Sequence, residues 1–364
     1  MKLLYITNGI KGAAGLERVL SIKASYLADV MGYEVHILML NNGNDPFFYD
    51  FSPKIKMHDI VVGGNPIKYV RQYLRGIEAV VKAIRPDVIS VCDDGLKGFF
   101  LPLALQKPCP MIYERHVSKV IELGENPDFK KRAYVNFKFK MMNLLGRQFD
   151  KFVVLTHDNI PEWTMRNVIV ISNPLSFYPE QSSTLQNKKV IAVGKQSYQK
   201  GFDLLLRSWK IVNENHPDWE LDIYGKFDPL QQLSELASKL NIENCVHFFE
   251  PVKKIEEKFL ESSIFAFSSR FEGFGMVLIE AMACGVPCVS FDCPCGPSDI
   301  VSEREDGFLI ESGNIPAFAE KITVLIENEN MRTKMGKTAK ENAKRYLPEA
   351  IMPQWDKLFK SLVK

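Results

Sequence analysis

The 364-residue sequence has no uncharged apolar run approaching the roughly 18 residues of a membrane span. Its first eight residues hold too short an apolar run for a secretory leader, so a soluble chain, peripheral to a membrane at most, is expected. Charge of one sign is also missing: 46 Lys plus Arg against 44 Asp plus Glu leaves +2, which argues against broad nucleic-acid binding. No Walker A pattern occurs, so P-loop nucleotide hydrolysis has no support. Nor is there a G-x-G-x-x-G turn followed by an acidic residue ending the second strand, which removes the nicotinamide-dinucleotide fingerprint. Seven cysteines, an odd number in a long chain, do not suit the framework of a small disulfide-rich domain, and reduced thiols in a cytoplasmic setting are expected.

What is present is average globular composition, with 46% hydrophobic and 25% charged residues, on a length that favours two domains. Short Val/Ile-rich runs at residues 3–7, 35–40, 88–92, 111–113, 152–155 and 168–171 read as buried strands. Stretches with apolar positions three or four apart, at 16–30, 68–84 and 131–145, read as helices between them. The alternation stops at Ser172-Asn173-Pro174 and restarts with strands at 190–193, 221–224, 246–249, 264–267, 286–291 and 308–310. The expectation is an α/β chain of two Rossmann-like domains facing an interdomain cleft. They are residues 1–174, completed by a tail helix at 349–364, and residues 188–348, with 175–187 as linker.

Four groups of residues carry chemistry. Gly9, Gly12 and Gly15 lie between the first strand and first helix, where free N–H groups suit a phosphate, although an ordinary strand–helix turn reads the same way. The matching turn of the second half, Val193-Gly194-Lys195-Gln196-Ser197-Tyr198-Gln199-Lys200-Gly201, brings two lysines to the carboxyl end of a strand, as point charges for a diphosphate or as solvated loop residues. In Arg270-Phe271-Glu272-Gly273-Phe274-Gly275-Met276, Glu272 falls in a Gly-rich loop, while Glu280 falls in an apolar helix. Eight residues of continuous helix span about 12 Å, beyond the roughly 5–9.5 Å of a hydrolase carboxylate pair. The two acids therefore suit separate hydroxyl groups of one extended ligand, with a solvated helix position as the alternative for Glu280. His116, after Tyr113-Glu114-Arg115, sits at the carboxyl edge of the first sheet.

Cys284, Cys288, Cys293 and Cys295 invite a zinc reading, but their C-x3-C, C-x4-C and C-x-C spacings lack the paired C-x2-C of common ribbons. No metal site is expected. Residues 129–151 combine Lys130, Lys131, Arg132, Lys138, Lys140, Arg147 and Lys151 with Phe129, Tyr134, Phe137 and Phe139. That pattern reads as a membrane-surface helix or as a core helix with a solvated basic face.

Taken together, these motifs resemble the family 4 retaining glycosyltransferases of GT-B fold from bacterial polysaccharide and lipid-linked glycan pathways. Glu272 to Glu280 matches the E-x7-E signature with its internal G-F-G, and Ala281-Met282-Ala283-Cys284-Gly285-Val286-Pro287 continues as members of that family do. Gly296-Pro297-Ser298-Asp299-Ile300-Val301, Asp306-Gly307-Phe308-Leu309 and Gly15-Leu16-Glu17-Arg18-Val19 are also similar, with Ala14 in place of a common glycine. The resemblance implies that Glu280 holds the ribose of a nucleotide-sugar donor, that Glu272 faces the donor sugar, and that backbone N–H groups around Phe274 and Gly275 lie nearby. It places Lys200 on the diphosphate, Lys195 where an arginine is usual, Gly194 in the same loop, Gly15 at the phosphate and His116 near the sugar. It implies no bound cofactor or metal. The donor would be a UDP-hexose or UDP-N-acetylhexosamine and the acceptor a glycan or lipid-linked glycan, at the inner face of the cytoplasmic membrane. A nucleotide-sugar epimerase and an inactive sugar-nucleotide-binding partner protein are the competing readings.

Overall fold

In the computed structural model, which describes every residue except Ala13, Ala14, Asn44, Asp45, Asp94, Glu125, Asn126 and Lys364, the chain forms two α/β units. The first is built on residues 1–119, 128–176 and the chain end from Pro348, the second on Phe177–Leu347.

The first unit runs β1 (Lys2–Thr7), α1 (Gly15–Asp29), β2 (Glu34–Leu40), β3 (Lys56–Ile60), α2 (Pro66–Ile84) and β4 (Val88–Cys92). It continues through α3 (Leu96–Phe99), α4 (Leu101–Ala104), β5 (Met111–Glu114), α5 (Phe129–Gly146), β6 (Lys151–Val154) and β7 (Val168–Val170). All seven strands are parallel, in the order β3-β2-β1-β4-β5-β6-β7. Five of the six residues in β1 and all five in β4 are buried, as strands covered by helices on both faces require. β3, with the sequence KMHDI, is an edge strand without a buried residue, and its polar composition hid it from hydropathy patterning. Helix starts are set by side-chain caps: Asn65 accepts from Lys68 N ahead of Pro66, and Asp128 accepts from Lys131 N.

The second unit repeats the plan. It comprises β8 (Lys189–Val193), α6 (Phe202–Asn215), β9 (Glu220–Tyr224), α7 (Leu233–Lys239), β10 (Val246–Phe249), α8 (Ile255–Leu260) and β11 (Ile264–Phe267). Then follow α9 (Met276–Ala283), β12 (Cys288–Asp292), α10 (Pro297–Ile300), β13 (Gly307–Glu311), α11 (Ile315–Glu327) and α12 (Glu329–Ala343). Its parallel order, β10-β9-β8-β11-β12-β13, reverses direction between β8 and β11, and ligands of such sheets bind outside the carboxyl ends at that switch point. One face is sealed by Trp209 of α6 and by Phe291 of β12 packed against Phe318 of α11, with ring centroids 4.4 Å apart and the rings tilted by 42°. β12 begins at Cys288 rather than at residue 286, because Gly285 turns the chain at φ 74° and Pro287 lacks an N–H for the ladder.

Residues 177–187, the heart of the expected linker, lie on the second unit. Ser183 N donates to Cys284 O, Leu185 is buried, and the Lys340 ammonium donates to Glu180 O, Gln181 O and Ser182 Oγ. The tail helix α13 (Pro348–Leu362) belongs to the first unit, where it packs on α1 and buries Ile351, Met352, Trp355 and Phe359. This is the return of the chain end to the first domain that the resemblance implied.

Candidate active site

The switch point of the second sheet gathers the loops after β8 and β11. The first turns through Tyr198–Lys200 into Gly201, whose φ of 62° favours glycine. A Cβ there would sit 2.2 Å from Ser268 O, so only glycine lets the two loops meet. Three further bonds tie them: Ser268 Oγ donates to Lys200 O at 2.9 Å, Arg270 N to Gln199 O at 2.7 Å, and Arg270 Nη1 to Tyr198 O at 2.8 Å. The Arg270 guanidinium also forks onto both oxygens of Asp203 at 2.8 and 2.7 Å, anchoring the loops to the first turn of α6.

This frame brings Lys200 and Glu272 together. Lys200 Nζ lies 2.7 Å from Glu272 Oε1, with 18% and 7% of the two side chains exposed. Ser269 Oγ donates to the same oxygen at 2.6 Å, and the Glu272 backbone N–H is held by Pro294 O at 3.1 Å. Gly194 lies against the aliphatic part of Lys200, since a Cβ on it would meet three lysine carbons at 3.0–3.1 Å. Phe274 is buried, and Gly275 starts α9 at φ 102°. Glu280, in the middle of α9, is completely buried and is no solvated helix position. Lys195 is exposed and, among the described residues, makes no ion pair. The arrangement offers one fixed cation, one free cation, two buried carboxylates and the start of a helix along a single sheet edge. Such a set suits a polyhydroxylated ligand that carries phosphate.

In the first unit Gly15 opens α1, with open space around its Cβ position, so packing within the described residues does not require a glycine there. Ala14 lies outside the described residues. His116 follows β5, with 6% of its side chain exposed and Nε2 3.3 Å from Glu114 Oε2. Sequence patterning missed Glu114, and it missed the fully buried Lys23 that pairs with it. Lys23 falls on the apolar stripe of α1 with Val19, Leu20, Ala24 and Leu27, and a lysine in such a stripe was the available signal. Arg270, Asp203 and Ser269 had no such signal.

Among the described residues two groups have metal-ligand proximity: Cys92, Glu114 and His116, and Glu220, Asp222 and His247. Each already has a cation, Lys23 on Glu114 and Lys189 at 3.2 Å from Asp222, so both are built as ion pairs. Cys284, Cys288, Cys293 and Cys295 are buried thiols outside any disulfide, burial pushes the Cys284 thiol up to about 12, and Cys288 packs inside β12 as a small hydrophobe. No helix among the described residues is long and apolar enough to cross a membrane. α5 buries Val135, Phe139, Met142 and Leu145 but exposes Phe129, Tyr134, Phe137 and Leu144.

Residues 178–342, the body of the second unit, match the family model described as glycosyl transferases group 1. An uncharacterized glycosyltransferase of Haemophilus influenzae is 30% identical over 97% of this chain and 98% of its own length. The amylovoran biosynthesis glycosyltransferase AmsD of Erwinia amylovora is 29% identical over 98% of both chains. Among solved structures, Anabaena HepE in complex with UDP superposes with a TM-score of 0.78 at 18% identity, over 100% of both chains, so the fold is that of the GT-B glycosyltransferases. The chain belongs to the glycosyltransferases, and its second unit is a glycosyl transferases group 1 domain.

Proposed function

We propose that the protein is a retaining, metal-independent hexosyltransferase of family 4. It would move a sugar from a UDP-hexose or UDP-N-acetylhexosamine to a glycan or lipid-linked glycan in cell-surface polysaccharide synthesis. The observation that carries this reading is the Lys200–Glu272 pair, fixed at the switch point of the second sheet one loop before the buried Glu280. The amylovoran enzyme's name and the UDP bound to Anabaena HepE support the pathway and the nucleotide.

The chemistry follows from charge. As the C1–O bond to the diphosphate breaks, the sugar becomes oxocarbenium-like and negative charge collects on the leaving oxygens. Lys200 and Lys195, with the start of α9, stabilise that charge where it develops. Lys200 is already anchored on Glu272, so little reorganisation is needed when the ammonium turns to phosphate. Glu272 then accepts hydroxyls of the donor sugar and Glu280 those of the ribose, while N–H groups around Phe274 and Gly275 meet the donor. Gly15 and Gly194 let backbone approach phosphate, and His116 sits by the sugar. The acceptor oxygen attacks C1 from the face the diphosphate leaves. Its proton passes to a departing phosphate oxygen, so configuration is retained without an enzyme nucleophile.

The test is incubation with UDP-sugars and a glycan acceptor, read by UDP release and by the anomeric proton signal of the product. An α-linked product from an α-donor supports the reading. Inversion at C1 refutes the mechanism, and epimer or free sugar formed without acceptor favours the epimerase reading. For the acceptor, exposed Phe129, Tyr134, Phe137 and Leu144 beside Lys130, Lys131, Arg132, Lys138 and Lys140 on α5 support peripheral contact with an anionic membrane. Co-sedimentation with phosphatidylglycerol vesicles at low salt tests it: pelleting that salt reverses supports the contact, and a chain left in the supernatant removes it.

A further inference from the structure

A buried polar chain in the first unit runs from Lys23 through Glu114 to His116, outside the phosphate-facing loops. Lys23 is 1% exposed in the side chain and its ammonium is ion-paired with Glu114, also 1% exposed. The Trp355 ring of α13 lies 3.9 Å from that ammonium and the Tyr5 ring of β1 lies 5.1 Å from it, so aromatic faces replace the water the lysine has lost. Glu114 Oε1 accepts from Ser90 Oγ of β4, and Glu114 Oε2, besides Lys23, lies 3.3 Å from His116 Nε2.

Burial by itself would raise the Glu114 carboxyl, but Lys23 and His116 overcome this and hold it down to about 2, so the group is a carboxylate. A carboxylate only accepts hydrogen bonds, so the proton of the contact lies on His116 Nε2. In the neutral ring Nδ1 is then the lone-pair nitrogen. A buried ion pair is a poor way to gain stability, because well-packed apolar residues of similar volume do as well or better. This one ends on a histidine at the carboxyl edge of the sheet, where α/β folds place ligands.

We propose that Glu114 is a positioning residue, held by Lys23, Ser90 and the Trp355 face of α13, that locks His116 in the Nε2–H form and fixes the direction of its Nδ1 edge. The tail helix thereby contributes to the site through Trp355, which acts on His116 by way of Lys23 and Glu114. The functional weight of this inference rests on the assignment of His116 to the donor sugar, whereas its geometry does not.

The test uses the full chain labelled with 15N-histidine, with two-bond 1H–15N spectra at alkaline pH and the His116 signals assigned by their loss in His116→Gln. Glu114→Gln alone leaves Lys23 buried without its partner and risks misfolding, so the principal variant is Lys23→Met/Glu114→Gln, which removes both charges at similar volume. The wild type is expected to show a protonated Nε2 and a bare Nδ1. The double variant, folded by circular dichroism and still binding UDP, is expected to show a mixture of tautomers and a kcat lowered about tenfold or more, with donor KM changed less than kcat. A wild-type His116 protonated at Nδ1 overturns the proposal, as does a double variant that keeps the wild-type tautomer and kcat. A wild type with no transfer from any UDP-sugar refutes the proposed function instead, and leaves the tautomer result standing on its own.

Discussion

Lys200 and Glu272 form an ion pair at the candidate site, and a double-mutant cycle on them gives a quantitative test. Lys200→Met leaves a carboxylate of which only 7% is exposed without its cation. Breaking a buried pair from one side costs about 3–5 kcal/mol. Here Lys200 retains some exposure and Ser269 Oγ still donates to Glu272 at 2.6 Å, so the loss should be about 2–3 kcal/mol at the low end of such effects. Glu272→Gln keeps a carbonyl oxygen for Ser269 and the lysine, and should cost about 1–2 kcal/mol. In the double variant no uncompensated charge arises, so its loss should fall short of the sum by about 1 kcal/mol or more. The assay is urea unfolding of the full chain in a Trp163→Phe/Trp355→Phe background, so that the fluorescence of Trp209 and Trp219 reports on the second unit. Single losses that add within about 0.5 kcal/mol would refute the coupling, and with it the claim that Lys200 is pre-positioned by Glu272. In parallel, kcat of Lys200→Met should fall about 10²–10³-fold, the usual effect of removing one stabiliser of transition-state charge.

Other perturbations have equally direct outcomes. Gly296→Ala places a Cβ 1.9 Å from Phe274 O at φ 132°, so the turn must open, and UDP affinity should drop at least tenfold in a calorimetric titration with the first unit's stability unchanged. Arg270→Lys gives up the fork onto Asp203 and should lower kcat more than it lowers the melting temperature, because it loosens the loop bearing Lys200 while leaving the core intact. The Glu114 carboxyl lies below its ordinary 4.5, at about 2, so its contribution to stability is complete above about 4.5 and is lost as pH falls toward 2. Melting temperature should therefore fall more steeply across that window for the wild type than for Lys23→Met/Glu114→Gln, and parallel curves would contradict the assignment.

Most of the architecture was legible in the sequence because fully buried parallel strands leave uninterrupted Val/Ile runs, as in β4 (VISVC), and helices leave three- and four-residue spacing. β3 escaped because an edge strand carries no such run. The site was legible as separate motifs, and its assembly was not. Lys200 and Glu272 are 72 residues apart and meet only because β8 and β11 pair across the switch point, a relation that periodicity does not encode. Lys23 and Glu114 each looked like an ordinary charged residue, and their joint burial depends on α1, β5 and the returning tail helix together.

The central claim is that the second unit binds a UDP-sugar through Glu280. Isothermal calorimetry with UDP, GDP and ADP on the wild type and on Glu280→Ala tests it most directly. Selective UDP binding that weakens at least tenfold in a folded Glu280→Ala variant is the result expected. UDP binding of unchanged strength in that variant, or a folded wild type that prefers GDP or binds none of the three, would contradict it.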